Sequence, residues 1–291
     1  MLVSILIANY NNGKYFEDCW NSLLLQTYSN WEAIIVDDCS TDNSKEVVLA
    51  ITKSDSRVKF FTNEQNKGCG YTKRRCTEFA NGEILGFLDP DDTIPSHAIE
   101  RMVNAFKENL DVALVYSKHK VFDENLKYSD TNYDLKQIDS FDPLFFNKSG
   151  IISAFSCFKK EAYLNTNGID PYMLRAVDQD LYLKVYEQGK VLALNEYLYN
   201  YRIHRNGIAG EFSGNVSPAL YWQWYAINAA AKRRGVYVEK MFVDAYVQTK
   251  EYSALKKKMD LILNSGSYRL AKKISNFYQN VVGFFSKKKA N

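Results

Sequence analysis

Three aspartates within four residues, Asp89, Asp91 and Asp92, leave the apolar run Ile84 to Leu88 and form an oxygen-rich site. Carboxylates at this spacing suit Mg2+ or Mn2+, which take one or two protein oxygens and complete their shell with water and phosphate. A phosphorylated substrate is the partner such an ion implies. The alternative is a solvated acidic turn, with Asp91 or Asp92 capping the helix that Pro95 and Ser96 introduce. A second pair, Asp178 and Asp180, opens an apolar-faced helix and offers either a helix cap or a general base. His204 sits in a polar loop, where an imidazole can ligate a metal or contact phosphate, or be simply structural.

These groups act together only if the fold brings them to one edge. Val3 to Ala8 reads as a strand, followed by the turn cluster Asn9 to Gly13 and a helix through Phe16, Cys19, Trp20, Leu23 and Leu24. Ala33 to Val36 is a second strand ending in Asp37-Asp38, and Val58 to Phe61 a third. Tyr71 to Ala80 reads as a helix stopped by Asn81-Gly82, and the strand before Asp89 follows. Ile99, Met102, Val103 and Phe106 keep the spacing of a core-facing helical stripe. Val112 to Tyr116, Ile151 to Phe158, Val191 to Leu194 and Tyr197 to Tyr201 read as further strands. Residues 123–142 are polar and irregular, which fits a lid, a substrate contact or a plain surface insertion.

Strands alternating with helices predict an α/β fold with a mostly parallel sheet, which binds ligands outside the carboxyl ends of its strands. Asn9-Tyr10, Asp37-Asp38 and Asp89 to Asp92 all lie at such exits. No GxGxxG loop follows the first strand and no GxxxxGK[ST] loop occurs, so dinucleotide binding and P-loop chemistry lose support.

With 291 residues, 46% hydrophobic and 24% charged, the chain has the composition of a folded globular protein. The net charge of +3 conceals a division: from Lys232 onward there are 14 basic and 4 acidic side chains, and the preceding part is acidic. Five cysteines without CxxC spacing indicate reduced thiols in a cytoplasmic setting. The N-terminus lacks the basic start of a signal peptide. No segment reaches the roughly 18 apolar residues of a membrane span, so any membrane contact is expected to be peripheral.

The ordered motifs resemble glycosyltransferase family 2, nucleotide-sugar transferases with the GT-A fold. The resemblance runs from Val3 to Arg205. Val3 to Asn11 is similar to the family's opening strand, and Gln26-Thr27-Tyr28 and Ile35 to Asp42 to its next landmarks. Asn66-Lys67-Gly68 and Gly82-Glu83-Ile84 lead into Phe87 to Asp92, its DxD-type motif; Asp178 to Leu181 and Tyr201 to His204 match its later motifs. The resemblance implies a GT-A, Rossmann-like, mostly parallel sheet flanked by helices over residues 1–214, with a helical extension over 215–291. It also implies an inverting, metal-dependent transfer from a nucleoside-diphosphate sugar, UDP-sugar favoured, to a hydroxyl of a glycan or lipid-linked glycan in bacterial surface polysaccharide synthesis. Ala8, Tyr10, Asp38, Lys73, Asp89 and Asp91 would then bind the donor, with Tyr10 near the base and Asp38 accepting a hydrogen bond from it. Asp91, Asp92 and His204 would hold Mn2+ or Mg2+, and Asp178 would be the catalytic base, with Asp180 supporting the helix start. Lys73 stands where the family often has arginine, and cannot reproduce its bidentate fork. Val177 replaces the Glu or Gln that many members carry before the base. A sugar-nucleotide nucleotidyltransferase and a catalytically inactive carbohydrate-binding relative are the alternatives.

Residues 217–234, 239–263 and 267–285 read as three helices beyond the matched region. The last, with Leu270, Ile274, Phe277, Val281 and Phe285 beside several lysines, fits a peripheral membrane contact through residues 266–289 at the inner face of the cytoplasmic membrane. Packing on the catalytic domain or on a second copy, as a homodimer, is the other occupant of that face. Nucleic acid is not an expected partner, since no binding fold accompanies the basic residues.

Overall fold

The computed structural model describes residues 1–129, 135–204 and 216–266, together with Tyr268 and Lys272. Its first half alternates β1 (Val3–Asn9), α1 (Gly13–Leu24), β2 (Trp31–Asp37), α2 (Ser44–Thr52), β3 (Val58–Thr62), α3 (Cys69–Phe79), β4 (Ile84–Phe87) and α4 (Ala98–Glu108). These four strands are parallel, in the order β3-β2-β1-β4. The sheet continues through β7 (Ser156–Lys159), antiparallel to β4, into β5 (Val112–Phe122), which pairs with the short β6 (Tyr128–Ser129) and, in parallel, with β8 (Lys190–Arg202). Two helices, α5 (Lys160–Leu164) and α6 (Val177–Tyr186), lie between β7 and β8.

The central strands β1, β2 and β4 are buried and mostly apolar on both faces, as a sheet covered by helices on both sides requires. On β1, Val3, Ile5 and Ile7 join one core with Phe16, Trp20 and Leu23 of α1 and Ile99, Met102 and Phe106 of α4. Leu6 points the other way, into a second core with Cys76 of α3 and Leu181, Val185 and Tyr186 of α6. Each fully buried aliphatic side chain contributes about 1.5–3 kcal/mol. A one-residue slip of β1 would exchange the two faces, so its register is tightly specified. All five cysteines are free, as expected.

Three expectations differ from what is observed. The two expected strands at 191–194 and 197–201 are one, because Leu194 pairs with Ser117 and Tyr197 with the next residue, Lys118; Asn195 and Glu196 form a bulge. Its partner β5 is correspondingly longer than 112–116. Strand β7 starts at Ser156 rather than Ile151, because Asn147 exchanges hydrogen bonds with Ile152 (2.8 and 2.9 Å) and holds that stretch as a closed loop. Finally, α7 (Val216–Arg234), expected in the extension, belongs to the first compact unit, which runs from Met1 to Val236. Ala226, Ile227, Ala230 and Ala231 are buried, and small side chains let α7 approach α6 closely. The expected boundary at 214/215 falls among residues 205–215, outside the described ones.

The second unit begins at Tyr237 and contains α8 (Glu239–Asn264). Leu255, Met259, Leu261 and Ile262 are exposed on it. No helix among the described residues is long and apolar enough to cross a membrane. The expected last helix at 267–285 and its lysine tail lie outside the described residues, as do residues 130–134 of the expected loop.

Candidate active site

Strands β1, β2 and β4 end side by side, and the loops that leave them are tied together by short polar side chains. Asn11, at positive φ, accepts Thr41 N–H on Oδ1 (2.8 Å) and donates its own N–H to Ser40 Oγ (3.0 Å). Asp37 accepts Asn9 Nδ2 (2.7 Å) and Ser40 N–H (2.9 Å). The Asn9 and Asp37 side chains are thereby spent on the scaffold. Asn9 Oδ1 is buried without a partner among the described residues.

Asp38, 3% exposed, accepts Asn63 Nδ2 (2.6 Å) and the backbone N–H groups of Lys67 (2.9 Å) and Gly68 (2.8 Å). It thus fixes the loop that enters α3. Gly68 has φ +87°, a left-handed conformation that demands glycine. Ala8 sits near the end of β1 opposite Val36, and Tyr10, just beyond, is 41% exposed with its ring free to meet a planar ligand.

The Asp89 to Asp92 turn closes on itself through Asp92 N–H to Asp89 O (3.0 Å). It caps no helix: α4 begins at Ala98, its N-cap is His97, and the side chain that reaches its first turn is Gln26, whose Oε1 accepts the Ile99 N–H (3.1 Å). Asp92 is 1% exposed, and β8 supplies both its donors, Tyr199 O–H to Oδ2 (2.7 Å) and Arg202 N–H to Oδ1 (2.7 Å). Burial, with Asp91 and Asp89 nearby, pushes its carboxyl well above the ordinary range, against those donors. A carboxylate so enclosed holds the turn rather than facing the cleft. Tyr199→Phe is expected to cost about 1–3 kcal/mol by removing one of those donors, measured as a lower urea midpoint at unchanged slope.

Asp91 faces His204, whose Nε2 lies 2.9 Å from Asp91 Oδ2. The His204 side chain is 2% exposed and its ring packs 4.6 Å from the Tyr15 ring. Arg202, also nearly buried, lies over Tyr15 and pairs with Asp18 (2.8 Å). An imidazole nitrogen and a carboxylate oxygen 2.9 Å apart are donor types that Mn2+ or Mg2+ accepts alongside phosphate and water. No three His, Cys, Asp or Glu side chains among the described residues form a closed cage.

Lys73 joins the two halves of the cleft. Its side chain is 5% exposed, and Nζ lies 2.8 Å from Asp178 Oδ1, 3.3 Å from Asp89 Oδ1 and 4.8 Å from the centre of the Phe87 ring. Burial pulls its ammonium down, but Asp178 and Asp89 outweigh burial and hold it well above its ordinary value. Asp178 itself keeps 45% of its side chain exposed at the first turn of α6. That turn has no side-chain cap, and the residue before it, Ala176, is held at φ +55°, a left-handed conformation uncommon for alanine. Asp180 does not cap either; it is buried and pairs with Lys184 (2.6 Å), whose Nζ also donates to Gly168 O (2.7 Å).

The structure thus brings Asp89, Asp178 and Lys73 together, and Asp91 with His204, while Asp38, Asp92 and Asp180 are committed to internal bonds. Tyr15, Tyr199 and Gln179 support the site without having been singled out. Only the aromatic character of Tyr15 and Tyr199 signalled them, and aromatic residues are abundant throughout the chain.

Residues 4–165 match the sequence pattern described as glycosyl transferase family 2. Chondroitin synthase of Escherichia coli is 30% identical over 208 residues, covering 70% of this chain and 29% of that protein. The chain therefore spans less than a third of that relative. Among solved structures, S. aureus TarS in complex with UDP-GlcNAc superposes with a TM-score of 0.66 at 20% identity, over 79% of this chain and 66% of the other. The mannosyltransferase PcManGT from Pyrobaculum calidifontis, in complex with GDP-Man and Mn2+, gives 0.55 at 14% identity, over 94% and 84%.

Proposed function

Because the chain belongs to glycosyl transferase family 2, with the α/β GT-A architecture expected of it, we propose that it moves a sugar from a nucleoside-diphosphate donor to a hydroxyl group, with inversion. The observation that carries this reading is the meeting of Asp178, Lys73 and Asp89 at the sheet edge where Asp91 and His204 also converge. One group of side chains is suited to proton removal, and the other to a diphosphate and its ion.

Asp91 and His204 would hold Mn2+ or Mg2+, which when bound neutralises charge on the departing diphosphate. Asp92 keeps the turn in place, Asp38 holds the loop that enters α3, and Tyr10 would lie against the nucleobase. Lys73 fixes the Asp178 carboxylate and holds Asp89 beside it at the sugar. Asp178, half-exposed, accepts the proton of the attacking hydroxyl at a carboxylate oxygen not engaged by Lys73. A single displacement by that hydroxyl inverts the anomeric carbon.

The donor class is supported by the two structural relatives, which bind UDP-GlcNAc and GDP-Man. UDP-sugars are our first choice. Similarity to a chondroitin synthase supports a glycan acceptor; a lipid-linked glycan, and bacterial surface polysaccharide assembly at the cytoplasmic face of the membrane, are the setting we propose for it. A thermal-shift screen of UDP-, GDP- and dTDP-sugars with and without Mn2+ tests the donor assignment. Stabilisation by one nucleotide class, larger with Mn2+, is expected. No shift with any of them would contradict it.

A further inference from the structure

Asp178 is held from the donor half by Lys73, but the residue after it reaches elsewhere. Gln179 Nε2 donates to Phe146 O (3.0 Å), so the first turn of α6, which carries the base, is also tied to the stretch 140–147. The other end of α6 holds the same stretch. Asp142 N–H donates to Tyr186 Oη (2.6 Å), and Tyr186 O–H donates to Ser140 O (3.1 Å).

Arg234, in the last turn of α7, completes the attachment. Its side chain is 3% exposed, Nε donates to Glu187 (2.7 Å), and Nη1 donates to Phe145 O (2.6 Å) and Pro143 O (3.3 Å). The guanidinium also lies between 5.3 and 5.7 Å from the centres of the Phe141, Phe146 and Tyr186 rings. A planar cation with five donors can satisfy a carboxylate, two carbonyls and aromatic faces at once, which a lysine cannot. Phe141 and Leu144 remain more than half exposed on the stretch so held. It is chain fastened to the helix that carries the base, and it belongs to none of the donor-binding elements β1, β2, β4 and α3.

We propose that residues 140–147 form the acceptor-side wall of the cleft and that Arg234 is the positioning residue that sets its distance from Asp178. The proposal rests on the reading of Asp178 as base for a saccharide hydroxyl. Helix α7, like Asp178 itself, lies beyond residues 4–165 that match the family pattern, and through Arg234 it would shape the acceptor preference.

The test compares wild type, Arg234→Met, Arg234→Lys and Gln179→Leu in two assays. One is hydrolysis of a UDP-sugar to water; the other is transfer to a panel of mono- and disaccharides. Arg234→Met is expected to leave UDP-sugar hydrolysis and UDP affinity within about twofold and to raise the half-saturating saccharide concentration about tenfold. Arg234→Lys should recover part of this, and Gln179→Leu should move the same parameter less. Equal loss of hydrolysis and transfer, or an unchanged half-saturating concentration in Arg234→Met and Gln179→Leu, would overturn the proposal. Wild type that neither hydrolyses nor transfers any nucleotide sugar would instead remove the glycosyltransferase reading, and the wall with it.

Discussion

Replacing Asp178 by asparagine is expected to lower transfer by about 10²–10⁴-fold, the usual contribution of a positioned base. UDP affinity should remain within about twofold, because the base acts on the acceptor and not on the nucleotide. The substitution is nearly isosteric, and an amide oxygen can still accept from Lys73 Nζ, now 2.8 Å from the carboxylate. Lys73 also keeps Asp89 as its second partner, so no buried ammonium is stranded. With half of the Asp178 side chain exposed, little stability is at stake. Transfer kinetics and isothermal titration with UDP measure the two quantities. Loss of both together would mean that Asp178 shapes the donor site through Lys73; near-normal turnover would mean that another group takes the proton.

The second large effect concerns Asp91 and His204. Asp91→Asn and His204→Ala are each expected to reduce kcat/KM by about 10²–10³-fold, the scale of losing stabilisation of developing charge. The sharper readout is binding. Titrated with UDP, each variant should show the affinity in Mn2+ that wild type shows in EDTA. His204 is nearly buried against Tyr15, so its removal leaves a cavity, and the His204→Ala variant should also melt earlier. Asp91 is partly exposed and its variant should melt close to wild type. Retention of Mn2+-enhanced UDP binding by both variants would exclude the pair as ligands.

Much of this site was legible because parallel sheets concentrate function at strand exits. Asn9-Tyr10, Asp37-Asp38 and Asp89 to Asp92 could be placed at one edge from hydrophobic runs and turn residues alone. What periodicity could not supply was the use of each carboxylate. Three aspartates in four residues look equivalent along the chain, yet β8 crosses behind the turn and engages Asp92 from 107 and 110 residues away. Asp180 likewise reads as a helix-start acid until Lys184, one turn later, is seen to occupy it. Lys73 appeared as an imperfect substitute for arginine in a donor contact. Its bridge to Asp178, 105 residues distant, depends on how α3 and α6 pack against one face of the sheet. The reach of α7 was missed because its alternation of alanines with aromatics has no strong period, and its attachment runs through Arg233 and Arg234 to Glu187.

In the proposed reaction Asp178 acts as base in one inverting displacement from a nucleoside-diphosphate sugar. Proton NMR of the reaction mixture tests it directly, using an α-linked UDP-sugar, Mn2+ and a saccharide acceptor, and reading the anomeric coupling of the first product formed. A β-linked product is expected with wild type, and its formation about 10²–10⁴-fold slower with Asp178→Asn. An α-linked product, or a β-linked product formed equally fast by Asp178→Asn, would contradict it.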